Sequence, residues 1–116
     1  MSGPDTATVV VKAYDAALWL LRKVEKFPRS HRLTVGDRIV GEALELLMTL
    51  VDASYSRDKR GHLLAANSRL NRLRYLLRIA KDLRLLSLDG WSFSAESLDE
   101  IGRMIGGWLK QRREPA

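Results

Sequence analysis

The chain has 116 residues, 46% apolar and 29% charged, with no cysteine. That supports one core of ordinary domain size and excludes disulfides, thiolate nucleophiles and cysteine-based zinc sites. The formal net charge is +6 and the pI about 10.1, a balance that favours polyanionic partners such as RNA, DNA or anionic lipid.

A first helix is expected from Asp5 to Lys26. Val10, Ala13, Ala17, Leu20, Val24 and Phe27 recur at alternating steps of three and four, the spacing of one helical stripe. Pro28 stops it, because the residue before a proline disfavours the α region. Pro28-Arg29-Ser30-His31-Arg32 reads as a tight connection. Thr34 and Asp37 then stand at N-cap and N3 spacing for a second helix from Val35 to Ser56. Ile39, Ala43, Leu46, Leu50 and Ala53 form one stripe on it. Val40, Leu44, Leu47 and Val51 form an adjacent one, which predicts contact with more than one neighbour.

Arg57-Asp58-Lys59-Arg60-Gly61 is a polar break. A third helix is expected from Lys59 to Leu86, with Leu63, Ala66, Leu70, Leu73, Leu77 and Ala80 spaced as a seam. Leu76, Ile79 and Leu83 lie off that seam and widen the apolar arc. Asp89-Gly90 marks a turn. Ser92 or Ser94 would cap a fourth helix from Ala95 to Arg112, whose stripe is Leu98, Ile101, Ile105 and Trp108. Trp19, Trp108, Tyr14, Tyr55 and Tyr75 are expected in the core, and Trp91 is left exposed in a loop. No segment alternates with a period of two, so no strand is expected. Four helices joined by short loops predict an all-α, antiparallel up-down-up-down four-helix bundle, one domain over residues 1–116.

No run of about 18 or more uncharged apolar residues is present, so no membrane span is expected. The N-terminus lacks a signal-peptide pattern, and a cytoplasmic location is expected. Catalytic signatures are missing. Gly102, Gly106 and Gly107 are not followed by the Lys-Ser/Thr pair of a phosphate loop, and no His-Glu-x-x-His occurs. We therefore expect no enzyme, no cofactor and no metal.

What remains is charge and glycine. From Arg57 to Arg84 nine basic residues face two acidic ones, +7, so the rest of the chain nets −1 of the total +6. On a helical wheel Arg60, Arg74, Arg78 and Lys81 fall within about 60° of one another, with Asn67 and Asn71 in the same sector. Such a stripe suits a phosphate backbone, since the arginine fork donates two parallel hydrogen bonds. A solvated face, or arginines paired with carboxylates of the first two helices, reads equally well. Arg29, His31 and Arg32 make a second basic patch beside Lys23 and Lys26. Contacts to a phosphate or a stacked base and cations offsetting a helix C-terminus read equally well there. Gly102, Gly106 and Gly107 each cost about 1 kcal/mol against alanine in a helix. Close packing of helices or subunits around Trp108 is the expected compensation.

Three segments, in this order, resemble the accessory variability determinant (Avd-like) family of diversity-generating retroelements. They are Phe27-Pro28-Arg29-Ser30-His31-Arg32-Leu33-Thr34, Leu70-Asn71-Arg72-Leu73-Arg74-Tyr75-Leu76-Leu77-Arg78-Ile79-Ala80, and Ile101-Gly102-Arg103-Met104-Ile105-Gly106-Gly107-Trp108-Leu109. The resemblance runs over nearly the whole length. It implies a four-helix protomer in a homopentameric barrel, a positive surface that binds nucleic acid, and association with the element's reverse transcriptase. That complex copies template RNA into adenine-mutagenised cDNA. By position, Arg29, His31 and Arg32 match the family's basic loop, and Arg72, Arg74 and Arg78 its Leu-Arg-x-Leu-Leu-Arg helix. Gly102, Gly106, Gly107 and Trp108 match its C-terminal packing motif.

A sister family with the same fold, encoded in intervening sequences of bacterial 23S ribosomal RNA genes, has a similar Phe-Pro loop. It typically continues with a glutamate pair or a Gln-Leu-Arg-Arg stretch, where this chain has His31-Arg32-Leu33-Thr34. The alternatives to an RNA-binding retroelement protein are that sister family and a module that meets only an acidic protein. A binder of anionic membranes is disfavoured, because no Lys/Trp amphipathic helix is apparent.

Overall fold

The computed structural model describes residues 6–113, with side-chain surroundings from Thr8 to Gln111. All regular structure among them is helical, and no strand occurs. The elements are α1 (Thr6–Val24), a three-residue α2 (Arg29–His31), a π-helical turn (Arg32–Gly36), α3 (Asp37–Tyr55), α4 (Arg60–Asp82) and α5 (Leu88–Arg113). Four of these helices are long. None of the described helices is long and apolar enough to cross a membrane.

Helix α1 ends at Val24, two residues before the expected Lys26, and the chain tightens toward the proline. Lys26 and Phe27 donate to the carbonyls three residues back, at 3.1 and 3.0 Å. Its expected start at Asp5 lies outside the described residues.

The connection after Pro28 is not a loop. Pro28 is extended (φ −54°, ψ 147°) and stands at the N-cap, so α2 begins at once. The chain then passes through the π turn into α3 with helical backbone throughout. Thr34 is therefore not a cap. Its hydroxyl donates back to the carbonyls of Ser30 (3.1 Å) and His31 (3.3 Å). With the helix already open at Arg29, no orphan N–H is left for Thr34 to accept. Gly36 makes the π turn fit against α1. A Cβ there would stand 2.9 Å from Val24 Cγ1 and 3.2 Å from the His31 carbonyl oxygen.

Helix α4 stops at Asp82, short of the expected Leu86. The chain reverses through Arg84, which has φ 63°. Arg84 N donates to Lys81 O at 2.9 Å and Leu85 N to Ala80 O at 2.8 Å, the paired bonds of a Schellman ending. An arginine in this left-handed position costs about 1 kcal/mol relative to glycine. The reversal returns Leu86 to the core.

Helix α5 starts at Leu88, seven residues before the expected Ala95. Asp89-Gly90 lies in its first turn. Ser87 is the cap, its Oγ accepting from Gly90 N at 2.9 Å. Neither expected cap serves. Ser94 is buried and donates to the Trp91 carbonyl at 2.8 Å, and Ser92 is exposed. Trp91 accordingly sits on a helix, half-buried, and not in a loop.

Helix α3 packs against α1 and α4, and α5 against α4 and α1. The core between them holds the expected seam of α4, the first stripe of α3, and Leu98, Ile101, Ile105 and Trp108 of α5. Each fully buried leucine or isoleucine contributes about 1.5–3 kcal/mol. Two expectations shift here. Val9 takes the deep position on α1 while Val10 is half-buried, and of the second α3 stripe only Leu47 is buried. Tyr14, Tyr55 and Tyr75 are exposed because each points away from its helix's core-facing side.

Candidate nucleic-acid interface

The basic residues of α4 divide according to the helix they face. On the α3 side, Arg69 and Arg72 reach the Glu42 carboxylate at 3.3 and 3.7 Å. Glu42 is itself buried, so these cations offset the cost of desolvating its charge. Arg72, expected at the interface, is thus engaged with its own chain although its side chain remains 63% exposed.

On the α5 side, Arg74 Nη2 donates to Asp99 Oδ1 at 3.1 Å and its Nη1 to Asn71 Oδ1 at 3.0 Å. Lys81 Nζ lies 4.3 Å above the Trp91 ring and 3.8 Å from the Asp82 carboxylate. Arg78 is exposed and has neither an ion pair nor a hydrogen bond among the described residues. Arg60 is also exposed. Its backbone N–H donates to Asp58 Oδ1 at 3.3 Å, and its side chain has no ion pair among the described residues. Exposed pairs such as Arg74–Asp99 contribute little, about 0–1 kcal/mol. A polyanion can therefore displace them at small cost.

Arg74, Arg78, Tyr75, Asn71, Trp91 and Asp99 line one cavity of about 410 Å³ between α4 and α5. The helical wheel brings Asn71, Arg74 and Arg78 together on α4, whereas Tyr75, expected in the core, is exposed. Trp91 is not legible as a member, because the apolar stripe of α5 begins only at Leu98 while the helix begins at Leu88, nor is Asp99, because nothing in the spacing of α5 marks a carboxylate as facing arginine. Arg60 stands at the opposite end of α4 from Lys81 and does not join the cavity.

Arg29, His31 and Arg32 form a separate patch on α2 and the first residue of the π turn. Arg29 is exposed, while His31 and Arg32 are half-buried. Arg32 Nη1 reaches the Glu25 carbonyl at 3.4 Å, where it meets the exposed C-terminal end of α1.

The glycines of α5 are not alike. A Cβ on Gly102 would stand 3.0 Å from Arg74 Nη2 and 3.2 Å from Leu70 Cδ2, so this glycine does permit close approach of α4. Gly106 would meet nothing within 4 Å and does not serve packing inside the protomer. Gly107 is exposed. Trp108 is fully buried, with no hydrogen-bond partner for its Nε1 among the described residues. Lys59 Nζ lies 5.7 Å over its ring and donates to the carbonyls of Ala53 and Ser56 at 2.8 Å, capping the C-terminus of α3.

Among the described residues no group of three or more His, Cys, Asp or Glu could hold a metal ion. No curated protein matches the chain. The bAvd-like family model matches residues 8–112, which take in nearly all of the four long helices. The chain belongs to this family of accessory variability determinants.

Proposed function

We propose that this protein is the nucleic-acid-binding accessory subunit of a diversity-generating retroelement. In this reading it associates with the element's reverse transcriptase and supports mutagenic cDNA synthesis from template RNA, without catalysing a step itself. The observation that carries the reading is the outer side of α4, where Arg60 and Arg78 stand exposed without ion pairs among the described residues. Family membership adds the biological setting. The protomer is an antiparallel up-down-up-down bundle, a topology favoured by the pairs Glu42–Arg69, Arg74–Asp99 and Lys81–Trp91 together with the short connections.

Self-assembly into a homopentamer draws support from the opposite side of the molecule. Val11, Tyr14 and Leu18 on α1, and Leu44, Met48 and Tyr55 on α3, are all exposed. At about 100° per residue they lie away from Lys12, which ties α1 to Glu100 of α5, and away from Glu42, which ties α3 to α4. The two apolar flanks therefore adjoin along the α1–α3 seam. An apolar patch of this kind marks an interaction surface, and a ring would multiply a weak protomer affinity for RNA through avidity.

Binding to an RNA of random sequence, titrated with salt, tests the proposal. The log–log slope should be steep, several units, and DNA should compete, since nothing resembles a base-reading module. Absence of RNA binding near 50 mM salt, the low end of the range over which such contacts weaken, would leave a protein-only module with an acidic partner.

A further inference from the structure

The α4–α5 cavity combines features that a phosphate backbone alone does not use. Beneath it lie Leu77 and Leu98, core residues that are all but fully buried. Tyr75, 68% exposed, and Arg78 stand on the α4 rim, and the Trp91 ring stands at the end covered by Lys81. At the other end Arg74, Asn71 and Asp99 form a polar cluster through two hydrogen bonds. The volume of about 410 Å³ falls within the range of small-ligand sites.

The geometry points to this groove as the seat of an unpaired base of a single-stranded polynucleotide. The inference rests on the nucleic-acid reading above and narrows it. A duplex buries its base faces and offers only phosphates and groove edges, which gain nothing from an exposed aromatic ring. An unstacked base gains from every part of the cavity. Its face lies against Tyr75, whose ring is otherwise spent on water. Its flanking phosphates meet Arg78, which has no ion pair among the described residues, and Lys81, held 4.3 Å from the Trp91 ring. Its edge reaches Asp99 and Asn71, where the second Asp99 oxygen is left to accept a hydrogen bond. Aromatic platforms of this sort tolerate any base, because every base presents a π face.

The test uses the full chain and two labelled probes, an oligoadenylate and a blunt RNA duplex of the same length. Tyr75→Ala should weaken oligoadenylate binding about tenfold and leave duplex binding unchanged. Ala95→Leu, which fills the groove without touching any charge, should do the same. Tyr75→Leu, which keeps apolar bulk but not the ring, guards against a loss caused by misfolding, with helical circular dichroism as the control. Equal losses on both probes, or no loss on the single strand, would overturn the groove assignment. If the unsubstituted protein binds neither probe, the nucleic-acid reading itself fails. If it binds both and the groove variants change nothing, only the present inference fails.

Discussion

The α1–α3 seam and the α4–α5 seam are built on one core but meet water with different chemistry. Along the first, Val11, Tyr14, Leu18, Leu44 and Met48 are exposed with few charges between them. Along the second, Tyr75 is exposed among Arg74, Arg78 and Lys81, and each cation either stands free or has a partner that solvent can replace. The apolar seam suits a protein surface, which can exclude water over a continuous area. The cationic seam suits a ligand that brings its own charge. Such a division would let one protomer assemble and bind at the same time, since neither task consumes the residues of the other.

The largest effect is expected from breaking the apolar side. Met48→Asp should weaken self-association by about a hundredfold or more, because burying an unpaired carboxylate costs several kcal/mol. Light scattering would read this as a drop in molar mass. An unchanged mass would remove the α1–α3 seam from the assembly. Next comes Gly36→Ala, where the new methyl meets Val24 and the His31 carbonyl. A loss of about 1–3 kcal/mol is expected by chemical denaturation. Gly106→Ala should instead stabilise the protomer by about 1 kcal/mol, since the added methyl meets nothing and helix propensity improves. Should that substitution lower the molar mass, α5 would join the subunit contact and the contrast between the two seams would have to be redrawn. Arg84→Gly should also stabilise, by up to about 1 kcal/mol, by relieving a left-handed arginine. The smallest change belongs to the cationic side. Arg78→Gln should lower the log–log salt slope for RNA by about one unit with no change in stability. Arg74→Gln should lower it less, because Asp99 already neutralises part of that charge.

Apolar periodicity made the four long helices legible, and the α4 seam from Leu63 to Ala80 is buried as its spacing predicts. Helix starts were less legible, and for one reason. A proline at 28 and a serine at 87 both open helices earlier than the apolar stripe begins, so the stripe marks the buried part of a helix and not its first turn. The same displacement hid Trp91 from the cavity. Pairing was hidden altogether. Periodicity tells which side of α4 is polar, but not that Glu42 of α3 faces Arg69 and Arg72, since that depends on how two helices are rotated against each other.

Glu42 has a consequence for how the basicity of this chain is to be counted. One buried carboxylate draws two guanidinium groups toward α3. The valence that a polymer of phosphates can titrate is thus smaller than the formal excess on the third long helix. An acid placed out of reach of that polymer withholds part of the helix's charge from it.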